Sequence, residues 1–346
     1  MKRILTIEST CDETAAAVVT DELEVLGSCV ASQDELHQEF HGVVPEIAAR
    51  AHLERMLPVI DSSLSEAGIA LSDVDAIAVA YTPGLAGSLL VGLSAAKALC
   101  LAADKPLIGI NHLHAHIYAC QIAARRNVFP CIGLVVSGGH SSLYRCDGPT
   151  DFQYLGGTID DAAGEAFDKV ASMLGLPYPG GPAISRLAPS GNRQAYSFPR
   201  SFIHDESRLD FSFSGLKTAV RYTLVGPGRQ DFTSLELDPQ TVADVCASFE
   251  QAVVDCLVAK AMLALEKTGQ QRLCVGGGVA ANPHLRQRLK DAADNRRAEL
   301  LIAPLKLCTD NAVMGGIAVE RLRLNDFDPL DLDVKPGLVR ITNLGE

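Results

Sequence analysis

Residues 3–20 read RILTIESTCDETAAAVVT, and this stretch holds the pattern that decides the fold. A short apolar strand over Ile4–Ile7 leads through the polar turn Glu8–Thr14 into a second apolar strand over Ala15–Val19. Apolar runs of this length, bounded by turn formers, are typical of strands in a hairpin. The sequence therefore predicts that the chain opens with a strand–turn–strand unit.

The same pattern returns at residues 132–145, which read IGLVVSGGHSSLYR. Both predicted hairpins are followed by helical stretches and by further apolar strands, at Ala76–Val79, Leu107–Ile110 and Leu273–Val275. The repetition predicts two related α/β lobes, each with a mixed sheet and helices on its faces. Two unrelated α/β domains would give the same pattern.

The composition is that of a globular protein. The chain has 346 residues, of which 47% are hydrophobic and 21% charged, which is enough for two packed lobes. The apolar N-terminal run is too short for a signal peptide, and Lys97 interrupts the longest apolar stretch, Leu89–Ala103. Ten cysteines without a Cys-x-x-Cys pair are typical of a reducing compartment. We therefore expect a cytoplasmic protein that does not associate with a membrane.

The formal net charge is −12. A chain this acidic attracts nucleic acid poorly unless basic residues are gathered locally or another protein contributes them.

A histidine-rich segment, Asn111–His116, follows the strand at Leu107–Ile110. Asn111 is a suitable N-cap for a helix that runs through Ala124. On this helix His112 and His116 share one face and could bind one metal ion, whereas His114 points away. Surface histidines would give the same spacing. The zinc-protease motif needs a Glu directly after the first His, and Leu113 stands there instead.

Two glycine-rich turns are candidates for anion binding. Ser137–His140 lies between two strands, where backbone N–H groups can approach an oxyanion and the Ser and His side chains can donate, although a glycine turn is natural in any hairpin. Val275–Asn282 carries three glycines between a strand and a helix, which suits a ribose or phosphate. It lacks the Gly-Lys-Ser/Thr of a P-loop.

Three further segments have less specific patterns. Asp160-Asp161 and Glu165–Lys169 are predicted to place acids on one amphipathic helix, and Pro179–Pro182 is predicted to be a rigid turn. Asp310 stands just before a Gly-containing helix, which it could cap. Aromatic and basic residues alternate between about 190 and 240, which predicts an insertion that is either functional or solvated.

Together these motifs resemble the TsaD family (also called YgjD or Gcp) of tRNA adenosine threonylcarbamoyltransferases. The resemblance runs nearly end to end, through IESTCDET (7–14), GVVPEIAARAH (42–52), PGLAGSLLVG (83–92), NHLHAH (111–116), VVSGGHSSL (135–143), IDDAAGEAFDKV (159–170), YPGGP (178–182), LDFSFSGLKTA (209–219), GGGVAAN (276–282) and CTDNAVM (308–314). Bacterial members more often carry His-His-x-x-Gly-His, so Asn111 and Ala115 are departures.

The resemblance implies the α/β, two-lobed fold of actin, sugar kinases and heat-shock chaperones (ASKHA), with duplicated mixed-sheet lobes and nucleotide in the cleft between them. The expected N-terminal lobe is residues 1–127. The C-terminal lobe is residues 128–325, with the insertion at about 190–240, and residues 326–346 are expected to return to the first lobe.

The resemblance also implies the site residues. One divalent metal ion, iron(II) in preference to zinc, is expected on His112, His116 and Asp310. Nucleotide and acyl-adenylate contacts are expected from Val135, Val136, Ser137, Gly138, Gly139, His140, Asp168, Gly181 and Asn282. On the first hairpin turn, Asp12 or Glu13 could accept the amine proton or be a hydrogen-bonded turn acid. Cys11 has no base beside it in the sequence.

The implied reaction moves the threonylcarbamoyl group from threonylcarbamoyl-AMP to the N6 amine of adenosine 37, just 3′ of the anticodon, in tRNAs that read ANN codons, and releases AMP. The implied partners are tRNA, a TsaB-like paralogue of the same fold and a small TsaE-like ATPase. The alternatives are a metal-dependent glycoprotein endopeptidase, which would lack its Glu, a sugar kinase, which would not need the metal triad, and a non-catalytic scaffold of the same fold.

Overall fold

The computed structural model describes residues 1–40, 42–226 and 237–337. Its strands are β1 (Arg3–Glu8), β2 (Glu13–Thr20), β3 (Val25–Ser32), β4 (Ala76–Thr82), β5 (Leu107–Asn111), β6 (Cys131–Val136), β7 (Ser141–Gly148), β8 (Asp151–Gly157), β9 (Arg272–Gly276) and β10 (Glu299–Ile302). Its helices are α1 (Asp34–His37), α2 (Pro45–Ala67), α3 (Ala86–Ala103), α4 (His112–Ala124), α5 (Ala163–Met173), α6 (Gly180–Leu187), α7 (Ser214–Val225), α8 (Pro239–Thr268), α9 (Pro283–Arg296) and α10 (Ala318–Leu324).

The chain divides into two compact units, each built on a five-stranded mixed sheet. The first unit contains residues 1–129, 147–152 and the chain from Ala303 onward, and the second contains residues 130–146 and 153–302. The first sheet has the order β3-β2-β1-β4-β5, and the second, read from its other edge, β8-β7-β6-β9-β10. In both sheets the second and third strands pair antiparallel, and the last two strands are added in parallel. This shared order confirms the predicted pair of duplicated mixed sheets.

The hydrophobic core of the first unit lies between its sheet and helices α2 and α3. Strand β4 is almost continuously buried, as expected for a parallel strand in a sheet covered on both faces. The large side chains of this core are Leu5, Ile7, Val18, Met56, Val59, Ile60, Ile77, Val79, Leu93 and Leu107. This packing holds the carboxyl end of β5, where the histidine segment begins, on a rigid support.

The chain returns to the first unit earlier than the sequence predicts. The expected second lobe extends to residue 325, but the chain from Ala303 belongs to the first unit. The hydroxyl of Thr6 on β1 donates to the carbonyl oxygen of Ala312 at 2.6 Å, which ties this returning segment to the sheet. Farther on, the Gly109 N–H donates to Oδ2 of Asp328 at 2.6 Å. Residues 338–346 of the expected C-terminal segment lie outside the described residues.

Helix α3 is long and apolar enough to cross a membrane, with a mean hydropathy of 1.7 over 18 residues. A single lysine within this helix is therefore not enough to exclude a membrane span. One face of α3, with Leu89 and Leu93, is buried in the first unit. A helix in a protein core can have the same length and composition, so these two properties do not distinguish a core helix from a membrane span.

The predicted insertion is described except for residues 227–236. Lys260 of α8 is buried, and its ammonium group donates to the carbonyl oxygens of Asp205 at 2.6 Å and Arg208 at 2.9 Å. Three aromatic residues of the insertion are fully or nearly fully buried, namely Phe198, Phe211 and Phe213. The described part of the insertion is therefore packed into the second unit and is not a solvated extension.

Two predictions of local structure are wrong. Helix α5 begins at Ala163, so Asp160 and Asp161 precede it. Asp160 instead accepts hydrogen bonds of 2.6 and 2.7 Å from two serine hydroxyls near the start of α7. It also accepts from the backbone N–H groups of Phe213, at 2.9 Å, and Ser214, at 3.3 Å, which satisfies free donors at the helix N-terminus. The predicted turn Pro179–Pro182 is the start of helix α6, whose first residue is Gly180.

Candidate metal centre and glycine loops

Helix α4 begins where the sequence predicts, directly after strand β5. The Asn111 side chain accepts hydrogen bonds from the backbone N–H groups of Leu113, at 2.9 Å, and His114, at 3.3 Å. These bonds satisfy two of the donors that every helix N-terminus leaves free. Asn111, a departure from the usual family motif, therefore has a structural role, and it starts the helix so that His112 is its first residue.

The structure brings the three predicted metal ligands together within the first unit. The rings of His112 and His116, one turn apart on α4, have centroids 4.6 Å apart. Oδ1 of Asp310 lies 3.4 Å from Nε2 of His112 and 3.1 Å from Nε2 of His116. His114 points elsewhere, as predicted, and stacks on Phe152 with ring centroids 4.0 Å apart. The role of His112, His116 and Asp310 as metal ligands remains a prediction.

The electrostatics of this cluster follow from its burial. Burial alone would raise the pKa of Asp310, but the charge and hydrogen bonds of His112 and His116 hold that pKa well below its ordinary value. Burial also lowers the pKa of His116, whereas Asp310 and Glu8 outweigh burial and raise the pKa of His112. The cluster is a buried carboxylate between two imidazoles.

The donor set fits a divalent transition metal. The ligand atoms of the three residues all lie within 4.8 Å of one another. Two imidazoles and one carboxylate on one side of a metal ion are the arrangement of non-haem iron(II) sites, and zinc accepts the same ligands. Three protein ligands leave further coordination positions for water or substrate oxygens.

The acids of the first hairpin turn lie in the electrostatic field of this cluster. Burial is the largest cause that raises the pKa of both Asp12 and Glu13, and the charge of Asp310 raises both further. Burial also raises the pKa of the Cys11 thiol well above its usual value, which keeps it protonated and argues against a nucleophilic role.

In the second unit, Ser137–His140 forms the predicted tight turn between β6 and β7. The Ser137 N–H donates to the carbonyl oxygen of His140 at 2.7 Å. A Cβ added at Gly138 or Gly139 would meet no atom within 4 Å, so these glycines border open space. Val135 and Val136 are fully buried residues of β6, so neither presents its side chain to solvent.

The second glycine segment approaches the first. Gly277 has φ +94°, and a Cβ on it would lie 2.4 Å from the carbonyl oxygen of Val136. Only glycine allows this approach of two backbones. Asn282, after these glycines, accepts from the N–H of Leu285 at 2.8 Å and caps α9, while its Nδ2 donates to Glu250 and Ser185, both at 2.7 Å. Most of its hydrogen-bonding capacity is therefore used within the protein.

Asp168 lies in helix α5 and contacts the start of helix α6, which contains Gly181. Oδ1 of Asp168 accepts from the N–H of Gly180 at 2.8 Å, which fixes the first turn of α6, where Gly181 lies. A Cβ on Gly181 would meet no atom within 4 Å. All the predicted nucleotide contacts thus lie in the second unit, and their role in binding remains a prediction.

The sequence reasoning missed two buried carboxylates. Glu8 contacts His112, and Glu250 accepts from Arg193 at 2.8 Å in addition to its bonds with Ser185 and Asn282. Glu8 falls within a segment read as a polar turn, but it is the last residue of β1. The signal that could have found it is the strand register, since Glu8 lies on the same face of β1 as Ile4 and Thr6, which are fully buried.

Two solved structures of other proteins have a similar fold. HypF of T. kodakarensis aligns with a TM-score of 0.62 at 14% identity, over 94% of this chain and 48% of that chain. The Acidaminococcus fermentans (R)-2-hydroxyglutaryl-CoA dehydratase component A aligns with a TM-score of 0.52 at 16% identity, over 92% of this chain and 97% of that chain. These likenesses show the fold alone, which is of the predicted ASKHA type.

Other proteins are much more similar to this chain in sequence than these two structures are. The profile described as TsaD, tRNA N6-adenosine threonylcarbamoyltransferase, matches residues 24–317. Relatives with that name are 62% identical in Rhodopirellula baltica, over 97% of both chains, and 49% identical in Moorella thermoacetica, over 97% of this chain and 96% of that one. A third, in Symbiobacterium thermophilum, is 50% identical over 97% of this chain and 96% of that one. This chain belongs to the TsaD family of tRNA N6-adenosine threonylcarbamoyltransferases.

Proposed function

We propose that this protein transfers a threonylcarbamoyl group from threonylcarbamoyl-AMP to N6 of adenosine 37 in tRNAs that read ANN codons, and releases AMP. The observation that carries the proposal is the buried cluster of His112, His116 and Asp310 in a chain of this family. His112 and His116 would hold one metal ion with Asp310, iron(II) first and zinc second. When bound, the ion supplies Lewis-acid polarisation of an oxygen that gains charge in the transition state.

The acceptor is an exocyclic amine, which is a weak nucleophile, so the protein must mainly position it and remove its proton. Asp12 and Glu13 are the candidate bases. Burial and the neighbouring charge of Asp310 raise the pKa of both carboxyls. A carboxylate with a raised pKa is a stronger proton acceptor, which suits this step.

The adenylate part of the substrate is assigned to the second unit. Ser137–His140 presents two glycines beside open space, so backbone N–H groups there could contact a phosphate or ribose. Asp168 would act by fixing the first turn of α6, which contains Gly181.

Other functions have less support. The peptidase alternative needs a free carboxylate next to the first histidine, and Leu113 occupies that position. Glu8, the carboxylate in contact with His112, is buried and already accepts two hydrogen bonds. A non-catalytic scaffold would have no reason to retain the His–His–Asp cluster.

We place the protein in the cytoplasm and infer that it binds tRNA with the help of partners. The net charge is −12, and arginines of the insertion are already paired: Arg200 with Asp255, and Arg208 with Asp210, at 3.1 and 2.9 Å. These pairs leave less free positive charge for RNA phosphates. A TsaB-like paralogue and a TsaE-like ATPase are the partners that we propose.

The test is a reconstituted transfer assay with purified protein, threonylcarbamoyl-AMP, an ANN-decoding tRNA and the two partners, in which the modified nucleoside is measured by mass spectrometry. We expect product with the wild-type chain and almost none with His116→Ala. A matched tRNA with guanosine at position 37 is the control for the acceptor. Equal product from His116→Ala would remove the metal cluster from the reaction.

A further inference from the structure

Glu8 joins the candidate metal centre from the neighbouring strand. It ends β1 and is 3% exposed. Its Oε2 lies 3.0 Å from Nδ1 of His112, and its Oε1 accepts from the Thr10 N–H at 2.7 Å. Both carboxylate oxygens are therefore in use, and the side chain is held from two directions.

The chemistry of the contact determines which ring nitrogen of His112 is protonated. A carboxylate oxygen accepts hydrogen bonds, so the facing nitrogen, Nδ1, carries the proton. The Nε2 atom then lies on the side of Asp310, 3.4 Å from Oδ1. We propose that Glu8 is a positioning residue that holds His112 with Nδ1 protonated and Nε2 directed to the metal ion. The inference rests on the proposed metal site.

The two histidines are held differently. Nδ1 of His116 is buried and has no hydrogen-bond partner among the described residues. Its orientation therefore depends on packing and on Asp310. His112 is the ligand whose orientation is controlled by a second residue, and carboxylate partners of this kind typically change metal affinity 10–100-fold when they are removed.

A purely structural role for Glu8 is the competing explanation, because its bond to the Thr10 N–H would also fix the turn after β1. The Thr10 hydroxyl lies 3.1 Å from Nδ1 of His112 as well. The two roles differ in their consequences. Loss of a turn contact lowers stability, whereas loss of the positioning bond lowers metal affinity in a protein that is still folded.

The first measurement is the zinc affinity of the full chain, by competition with a chromophoric chelator at a temperature well below unfolding. Glu8→Gln should weaken zinc binding roughly 10–100-fold. The matched control Thr10→Val removes the other group near Nδ1 and should leave affinity within about threefold, because Glu8 accepts the proton. Affinity of Glu8→Gln within threefold of wild type would overturn the proposal.

The second measurement needs no variant, so it stands even if Glu8→Gln does not fold. In the zinc-loaded wild-type protein, nitrogen-15 NMR should show His112 with a proton on Nδ1 and zinc on Nε2. Zinc on Nδ1 would overturn the proposal. Asp310→Ala separates the proposed metal site from the proposed role of Glu8. If Asp310→Ala binds zinc like wild type, the proposed metal site is wrong. If Asp310→Ala loses zinc while Glu8→Gln keeps it, only the role of Glu8 is wrong.

Discussion

The clearest test of the glycine loops compares two glycines that differ in their surroundings and in their backbone conformation. At Gly138 a Cβ meets no atom within 4 Å, whereas at Gly277 it lies 2.4 Å from a carbonyl oxygen on a backbone with φ +94°. The cost at Gly277 combines about 1–3 kcal/mol for a glycine-only conformation with an overpacking term of similar size. We expect Gly277→Val to lose about 3 kcal/mol or more of stability.

Gly138→Val should leave the melting temperature within about 2 °C of wild type, because the added atoms enter open space. If the loop Ser137–His140 contacts the adenylate, the added valine side chain blocks that contact. The Kd for AMP in calorimetry should then rise at least about tenfold, equivalent to ~1.4 kcal/mol. Gly148→Val, also in open surroundings, is the control. Unchanged AMP affinity in Gly138→Val would refute this placement of the ligand.

Three further predictions concern the metal, pH and tRNA. His112→Ala and His116→Ala should each abolish most metal binding, measured by plasma emission, and the double variant should lose little more, since one ion is shared; additive losses would contradict a single site. Although burial opposes it, hydrogen bonds hold the pKa of Asp160 below its ordinary 3.8, so its contribution to stability is present at neutral pH and lost as pH falls through the folded pKa. Asp160→Asn should therefore be less stable than wild type in urea at pH 7, and the difference should shrink as the pH falls below 3.8. A difference that does not change with pH would count against this. Filter binding should show weak tRNA affinity that falls steeply with salt for the chain alone, and tight, salt-insensitive binding would be inconsistent with the acidic charge.

Local signals in the sequence predicted much of the fold. The start of helix α4 follows from Asn111, which caps its first turn, and the structure confirms the helix from His112 to Ala124. The two hairpins were recognisable because short apolar runs flank polar turns, and the strand orders confirm them. In each case neighbouring residues determine the structure, so a single sequence suffices.

Long-range contacts could not be predicted in the same way. Asp310 is 194 residues from His116, and only the family resemblance placed it beside the histidines. By itself it looked like a helix cap, and the following residue, Asn311, instead accepts from the Met314 N–H at 3.1 Å. Glu8 looked like a turn acid because burial at the end of a strand depends on packing from elsewhere in the chain.

The central claim is that this chain modifies adenosine in tRNA through its His–His–Asp cluster. The most direct test is nucleoside analysis of total tRNA by mass spectrometry after the protein is depleted in its host. Threonylcarbamoyladenosine should fall on depletion, return when the wild-type chain is expressed, and stay low with Asp310→Ala at equal protein level. Unchanged threonylcarbamoyladenosine after depletion, or full recovery with Asp310→Ala, would contradict the account.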